Sequence, residues 1–441
     1  MKNFLKINRT IEPFKKTLEV EGDKSLSIRW ALIASQAAGK SKSKNLLRSE
    51  DVINTLNCLK KLGIKVKLSK DICEINSLGL NSFKYKEKII LNAGNSGTLG
   101  RLILGLLVHS TQEIKIIGDK SLSQRDFIRI IKPLKEFGAN FTSNQGKLPI
   151  KIIGTNSPKP IKYFEKRGSA QVKSSIMLAA LNTSGKTIIK AKKSRDHTEI
   201  LFKNIKLPIK IVKKKNYDLI EITGKKGIKP LNYNIPSDIS SSAFFIVLTA
   251  LSKNSELKIK NVNVNPSRIG ILEILKMMGV KIKITNKSIY KGEKIANLII
   301  KGKNSFKAIN CPTNLNSAAI DEFLLIFLIA AKAKGISYFK KISELNQKES
   351  PRLKWGSKIL NSMGIKTILK KDSIKIFGNP DLKIKKNIII KNFLKDHRVF
   401  MTCVVAALAF GGNWKIYDKN SIKTSFPTFI SKIRRLGAKL N

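Results

Sequence analysis

The feature that most constrains this chain is a unit that recurs along it. An amphipathic helix closes on Leu-Gly, Met-Gly or a near equivalent and runs at once into alternating Ile, Val and Lys. The copies are CLKKLGIKVKL at Gly63, PLKEFGANFTS at Gly138, ILKMMGVKIKI at Gly279, ILNSMGIKTIL at Gly364 and IRRLGAKL at Gly437. A sixth, degenerate copy, LFKNIKLPIKIV, has no glycine. Glycine just past a helix supplies the left-handed cap, and strict alternation signals a half-buried strand. Each unit also carries a more apolar helix upstream, over 30–38, 99–109, 174–181, 242–251, 322–331 and 399–410. The apolar helices read as buried cores and the amphipathic ones as surface layers. Six α/β units spaced about 70 to 85 residues apart, apart from a longer interval at the degenerate copy, suit two domains of three units. The boundary falls near LNYNIP (231–236), giving one domain over 22–235 and a discontinuous one over 1–21 plus 236–441. The first twenty or so residues are expected to pair with the C-terminal strand.

Charge is the next constraint. The 441 residues hold 85 Lys and Arg against 30 Asp and Glu, a net charge of +55, and 42% of them are hydrophobic, enough to exclude a disordered basic tail. Only thirteen of the 85 are arginine, so 72 are lysine, scattered over every segment. A nucleic-acid binder concentrates charge and mixes in Arg or aromatics. The lysines therefore read as a solvated surface, without nucleic acid as partner. In a chain that uses Lys for plain positive charge, each Arg marks a place that needs the planar fork gripping phosphate or carboxylate.

The informative polar residues gather at helix starts. Ahead of the apolar helices stand DKSLSIR (23–29), NAGNSGTLGR (92–101), GSAQVKS (168–174), SDISSSA (237–243), SAAIDE (317–322) and KDHR (395–398). Ahead of the amphipathic ones stand SLSQRD (121–126), KSRDHTE (193–199), NPSR (265–268), QKESPR (347–352) and IKTSFP (422–427). Free N–H groups and the helix dipole make such starts ready anion sites. Ser, Asp and Asn there serve equally as ordinary N-caps, but caps need no accompanying Arg, and Arg29, Arg101, Arg125, Arg195, Arg352 and Arg398 all lie in these segments. The pattern points to helix starts converging on a cleft for a multiply anionic small substrate. Asp321 and Glu349 sit among the cations; they fit structural salt bridges or proton transfer. Gly94 and Gly97 allow a close backbone approach to phosphate, although the Walker spacing is missing.

Taken in order, DKSLSIR, GNSGT with Arg101, GDKSLSQR, SAQVKS, IDE, QKES-x-R, DHR and TSFP resemble the enolpyruvyl transferase family, and within it the 5-enolpyruvylshikimate-3-phosphate synthases. The resemblance implies an α/β, two-domain enolpyruvyl transferase fold, each domain three βαβαββ repeats, with the active site in the interdomain cleft. It implies transfer of an enolpyruvyl group from phosphoenolpyruvate to the 5-hydroxyl of shikimate 3-phosphate with release of phosphate, in the shikimate pathway to aromatic amino acids. By motif, Asp321, Glu349 and Lys24 are the catalytic residues, Asp321 as the base for the 5-hydroxyl and Glu349 as the acid toward the methylene carbon. Lys24, Gly97, Arg125, Gln171, Arg352 and Arg398 match the phosphoenolpyruvate site. Lys24, Ser25, Arg29, Ser169, Ala170, Gln171, Asp321 and Lys348 match the shikimate 3-phosphate site. No metal or cofactor is implied, and Gly97 leaves room for inhibition by glyphosate. SAQVKS and GDKS are the forms of the second bacterial class.

Three positions depart from the family pattern. Glu21 and Asp126 stand where Pro is usual, and Pro351 replaces an acidic residue, a change expected to alter the loop carrying Glu349. Thr424 occupies a register that holds Lys in some relatives. The related UDP-N-acetylglucosamine enolpyruvyl transferases fit less well, because they have Lys-Asn in place of Lys24-Ser25 and usually a loop cysteine. A basic nucleic-acid-binding repeat protein rests on the charge alone. The N-terminus lacks an apolar run of signal-peptide length, and no apolar stretch reaches the length of a membrane span, so the expectation is a cytoplasmic monomer without membrane contact. Cys58, Cys73, Cys311 and Cys403 form no close pair, which leaves neither a disulfide framework nor a zinc site.

Overall fold

The computed structural model of the chain describes residues 3–440. It divides into two compact units. The first comprises Gly22–Pro236 together with Tyr290–Glu293; the second comprises the chain up to Glu21, Ser237–Ile289 and everything from Lys294 onward. Each unit has its own hydrophobic core. Among the described residues no helix is long and apolar enough to cross a membrane.

The first unit repeats one sheet plan three times. Ala38–Lys44 pairs in parallel with Tyr233–Asn234 and antiparallel with Ile72–Leu78, which continues to Lys65–Leu68. Ile114–Ile117 pairs in the same senses with Ile89–Asn92 and Lys147–Ile153, and the sheet ends on Asn140–Asn144. Lys186–Lys192 does so with Lys162–Glu165 and Tyr217–Thr223, ending on Ile209–Lys213. Residues 231–236, expected as a linker, are built into the fold: Tyr233 pairs with Ser43, and Leu231, Tyr233 and Ile235 are buried. Inside lie three helices, α1 (Lys24–Ala34), α2 (Gly97–Leu106) and α3 (Ala170–Leu181), buried along nearly their whole length. Gly105 permits the α2–α3 approach, since a Cβ there would lie 2.2 Å from the Ser175 carbonyl oxygen. A further helix, α4 (His197–Asn204), follows the third apolar helix and its strand.

The second unit has related sheets. Glu256–Asn263 pairs in parallel with Lys15–Glu19 and antiparallel with Glu293–Lys301. Ile336–Phe339 pairs antiparallel with Ile374–Phe377, and Gly411–Tyr417 pairs in parallel with Ile384–Ile390 and antiparallel with Phe4–Ile7. Of the N-terminal residues, then, only Phe4–Ile7 joins the C-terminal strand; Lys15–Glu19 joins a strand of the preceding sheet. The core helices are α5 (Ile239–Leu251), α6 (Phe323–Ala331) and α8 (His397–Phe410), with α7 (Arg352–Ser362) lying against α6 at Gly356, where a Cβ would meet the Phe327 ring at 2.7 Å.

Two expectations need correction. The DKSLSIR motif lies inside its helix, since α1 begins at Lys24 and ends at Ala34, short of the expected 30–38. Polar first turns hide a start from apolar periodicity. The expected strand after Gly437 is also absent, as Ala438–Leu440 is irregular. The repeat glycines all carry positive φ: 83° at Gly63, 106° at Gly138, 88° at Gly279, 89° at Gly364 and 106° at Gly437. In the degenerate copy Lys206 holds that conformation at 57°. A side chain there strains the backbone. Lys206→Gly is expected to raise stability by about 0.5–1 kcal/mol in urea unfolding. Gly63→Ala should lower it by more than that, because its Cβ would lie 2.4 Å from the Lys84 carbonyl oxygen.

Candidate active site

The candidate residues fall into two groups, one in each unit. In the first unit they stand on the opening turns of α1, α2 and α3, where apolar burial gives way to half-exposed polar side chains. Each turn is capped by its own side chain. Asp23 Oδ1 accepts from Leu26 N–H at 2.9 Å, Ser96 Oγ from Leu99 N–H at 3.2 Å and Ser169 Oγ from Val172 N–H at 3.4 Å. Ser169 therefore serves as the α3 cap, and Ala170 follows it as the first helical residue. Ahead of them, Glu165 gathers the N–H groups of Arg167, Gly168 and Ser169 at 3.0, 2.6 and 2.9 Å.

Cations are then fixed at these starts. Lys24 Nζ lies 2.8 Å from Asp51 Oδ2. Arg29, only 4% exposed, donates from Nη1 to the Ser25 carbonyl at 3.2 Å. Arg101 Nη1 donates to Gln171 Oε1 at 2.6 Å, Gln171 Nε2 donates to Thr98 Oγ1 at 3.2 Å, and the Arg101 guanidinium stacks over Phe127 with 5.2 Å to the ring centroid. Arg125 Nη2 reaches Asn95 Oδ1 at 3.3 Å. A Cβ on Gly97 would sit 3.0 Å from Arg125 Nη1 and 3.4 Å from Arg101 Nη1, so the absent side chain leaves two guanidinium groups beside the α2 N-terminus. Guanidinium groups beside a helix N-terminus have the chemistry that suits a phosphate or carboxylate. Lys24, Ser25, Gly97, Ser169, Ala170 and Gln171 thus lie on the helix starts of this unit, Arg29 one turn further into α1, and Arg125 in the bend before Ile128–Glu136.

In the second unit Arg352 is the centre. Its Nε and Nη2 grip Asp396 at 2.9 and 3.2 Å, Nη1 lies 3.4 Å from Asp321 Oδ1, and Nη2 also pairs with Glu349. Burial by itself would loosen the Arg352 proton, but Asp396, then Glu349 and Asp321, reverse this and hold it more firmly than usual. Lys348 Nζ is 3.2 Å from Asp321 Oδ1. Arg398 Nη1 donates to the Asp321 carbonyl at 2.9 Å and lies 3.6 Å from Glu322. Asp321, Lys348, Glu349, Arg352 and Arg398 are brought together. Thr424 Oγ1 instead contacts His397 Nδ1 at 3.3 Å.

A family model described as EPSP synthase (3-phosphoshikimate 1-carboxyvinyltransferase) matches residues 8–433. The chain belongs to the EPSP synthase family. It is 38% identical to the 3-phosphoshikimate 1-carboxyvinyltransferase of Vesicomyosocius okutanii, with 96% of each chain covered. To that of Petrotoga mobilis it is 36% identical, over 96% of this chain and 98% of the relative. Among solved structures, EPSP synthase from Acinetobacter baumannii superposes with a TM-score of 0.87 at 34% identity, covering 99% of both chains. The enolpyruvyl transferase NikO from Streptomyces tendae shares the fold, with a TM-score of 0.77 at 13% identity over 99% of this chain and 98% of that one.

Within this EPSP synthase frame the three departures have local roles. Glu21 pairs with Lys432 at 3.1 Å. Asp126 Oδ1 accepts the Ile128 N–H at 2.7 Å, and its carbonyl accepts from Arg101 at 3.2 Å. Pro351 is the N-cap of α7, a position where a missing N–H breaks no helical bond, and its carbonyl accepts from Trp355 N–H at 3.0 Å. All four cysteines are buried, and burial pushes the thiols of Cys58 and Cys73 up to about 12 and that of Cys311 to about 11.

Sequence reasoning missed Asp51 and Glu165, and gave no role of their own to Glu322 in IDE and, above all, Asp396 in DHR. The last carried a signal, because Asp-x-Arg before an apolar run marks an N-cap, and Asp396 Oδ1 indeed accepts from Arg398 N–H at 2.9 Å. Arg268, inside the NPSR segment, is instead committed to Asp238 and Ser240 at 3.3 and 2.8 Å. Arg352→Met strands a fully buried Asp396 and should lower unfolding free energy by about 3–5 kcal/mol. Adding Asp396→Asn, which keeps the cap and removes the charge, is expected to recover more than half of that loss in urea titration.

Proposed function

We propose that this protein transfers the enolpyruvyl group of phosphoenolpyruvate to the 5-hydroxyl of shikimate 3-phosphate, releasing inorganic phosphate, as a monomeric cytoplasmic 3-phosphoshikimate 1-carboxyvinyltransferase. The observation that carries this reading is the pairing of two proton-transfer carboxylates, Asp321 and Glu349, with one buried arginine in a member of the EPSP synthase family.

The chemistry assigned to each group follows from charge. Both substrates are multiply anionic, so Lys24, Arg125, Arg352 and Arg398 take phosphoenolpyruvate, with the α2 start at Gly97 beside its phosphate. Ser25, Arg29, Ser169, Ala170, Gln171 and Lys348 take shikimate 3-phosphate, with Lys24 and Gln171 shared by both. A substrate carboxylate arriving at Arg352 competes with Glu349 for the same guanidinium nitrogen. Glu349 released in this way gains affinity for a proton, which suits an acid that delivers it to the methylene carbon. Positive charge then develops on the adjacent carbon, which the 5-hydroxyl oxygen attacks as Asp321 removes its proton. Lys348 Nζ and Arg352 Nη1 lie 3.2 and 3.4 Å from Asp321 Oδ1. Collapse of the tetrahedral adduct expels phosphate, and the methyl group returns a proton to regenerate the enol ether. The cations offset the charge of the departing phosphate. A UDP-sugar acceptor is less well supported, since each cysteine is buried.

Phosphate release from phosphoenolpyruvate should require shikimate 3-phosphate; release driven by UDP-N-acetylglucosamine in its place would sink the assignment. Asp321→Asn and Glu349→Gln should each reduce kcat by at least about a hundredfold, the ordinary contribution of a positioned acid or base. Near wild-type turnover in both would mark them as salt-bridge residues.

A further inference from the structure

Three consecutive polar residues at the start of α4, His197, Thr198 and Glu199, are no more than 3% exposed. A helix turns about 100° per residue, so three neighbours cannot share one partner. Each has its own. His197 Nδ1 lies 2.6 Å from Glu293 Oε1, in the Tyr290–Glu293 segment that belongs to this same unit. Glu199 pairs with the fully buried Lys173 of α3. Between these two anchors, Thr198 Oγ1 accepts from Arg29 Nε at 2.9 Å and is bonded to Ser174 Oγ at 2.7 Å. Ser174 Oγ in turn lies 3.3 Å from Arg29 Nη2. Burying the Lys173–Glu199 ion pair and the His197–Glu293 contact costs heavily in desolvation, and here both flank one hydroxyl.

We propose that Thr198 is a positioning residue for the reaction: with Ser174 it holds one edge of the Arg29 fork, and the His197–Glu293 contact and the Glu199–Lys173 ion pair fix the turn that presents it. The proposal rests on the reading of Arg29 as a ligand of shikimate 3-phosphate. Arg29 has freely rotating torsions, and an unheld guanidinium loses binding energy in being ordered at each encounter. With Nε and Nη2 satisfied from within and Nη1 turned to the Ser25 carbonyl at the α1 start, the planar group has one orientation before substrate arrives. Threonine suits the task because its hydroxyl accepts from Nε and still bonds Ser174, whereas its shape matches valine.

The test compares Thr198→Val with Thr198→Ser in steady-state assays of phosphate release, alone and combined with Arg29→Lys. The valine should raise KM for shikimate 3-phosphate about tenfold, the effect of an unpaired buried donor, while KM for phosphoenolpyruvate stays within about twofold. Serine should restore the first KM to within about threefold, and the valine should add less than about twofold once Arg29 is lysine. Should the valine protein fold poorly, Ser174→Ala carries the same expectation at about threefold. A rise in both KM values together with a lowered thermal midpoint, or a full tenfold effect in the Arg29→Lys background, overturns the proposal. If Arg29→Lys raises KM for shikimate 3-phosphate but neither Thr198→Val nor Ser174→Ala does, the positioning role alone fails. If Arg29→Lys leaves that KM unchanged, the reading of Arg29 as a substrate ligand fails and the proposal falls with it.

Discussion

A helix packed in apolar side chains on every side has only its ends left for polar chemistry. The helices α1, α2 and α3 are of this kind, and so are α5, α6 and α8 in the other unit. Their own i→i−4 bonds satisfy the backbone groups along their length, so the groups still seeking partners at their starts are the N–H donors of each first turn. Those donors, with their dipoles, set the sign of what can bind. Lysines and arginines that would destabilise a buried interior are tolerated at this rim because caps, carboxylates and helix ends surround them. Asp23, Ser96, Ser169 and Asp396 each spend one oxygen on an N–H group of the turn they open. The site follows from the core: bury the helices, and their starts become the place for anions.

Carboxylates make that crowding of cations possible. Asp51 faces Lys24, Glu199 faces Lys173, and Asp396 faces Arg352. The arrangement at Arg352 differs from an isolated ion pair, because one guanidinium serves three carboxylates of unequal exposure. Asp396 is fully buried and also accepts from Ser350 Oγ at 2.9 Å, whereas Asp321 and Glu349 retain 15% side-chain exposure. The buried partner anchors the arginine, and the two others remain within reach of solvent. A buried pair and two part-exposed pairs therefore share one residue.

Much of this was legible in the chain. Glycine after an amphipathic helix, followed by alternation, located the repeat, and arginine scarcity in a lysine-rich protein pointed to the helix starts. What failed did so for identifiable reasons. The first turns of α1 and α3 were set outside their helices because Lys24, Ser25 and Gln171 break the apolar run exactly where the helix end is open. Asp51 and Glu165 escaped notice because their partners, Lys24 and the N–H groups before α3, are joined to them only by tertiary or loop geometry. Tyr233 lies in what reads as a linker, yet two residues of parallel pairing suffice to make 233–234 an edge of a sheet whose other strands lie far earlier in the chain. Short strands of that sort have no period to detect.

The positive-φ residues that end the amphipathic helices also differ in what surrounds them. At Gly364 and Gly437 nothing lies within 4 Å of a hypothetical Cβ, whereas at Gly63 the Lys84 backbone occupies that space. In the copy without a glycine, Lys206 holds the same conformation at the cost of strain. Drift in such a repeat is therefore graded: copies whose glycine answers only to backbone angle can erode by single substitutions, while the Gly63 copy is locked by a second, steric requirement. A family of six similar units would lose its internal symmetry in that order, and the units that still look alike would be those with least room to change.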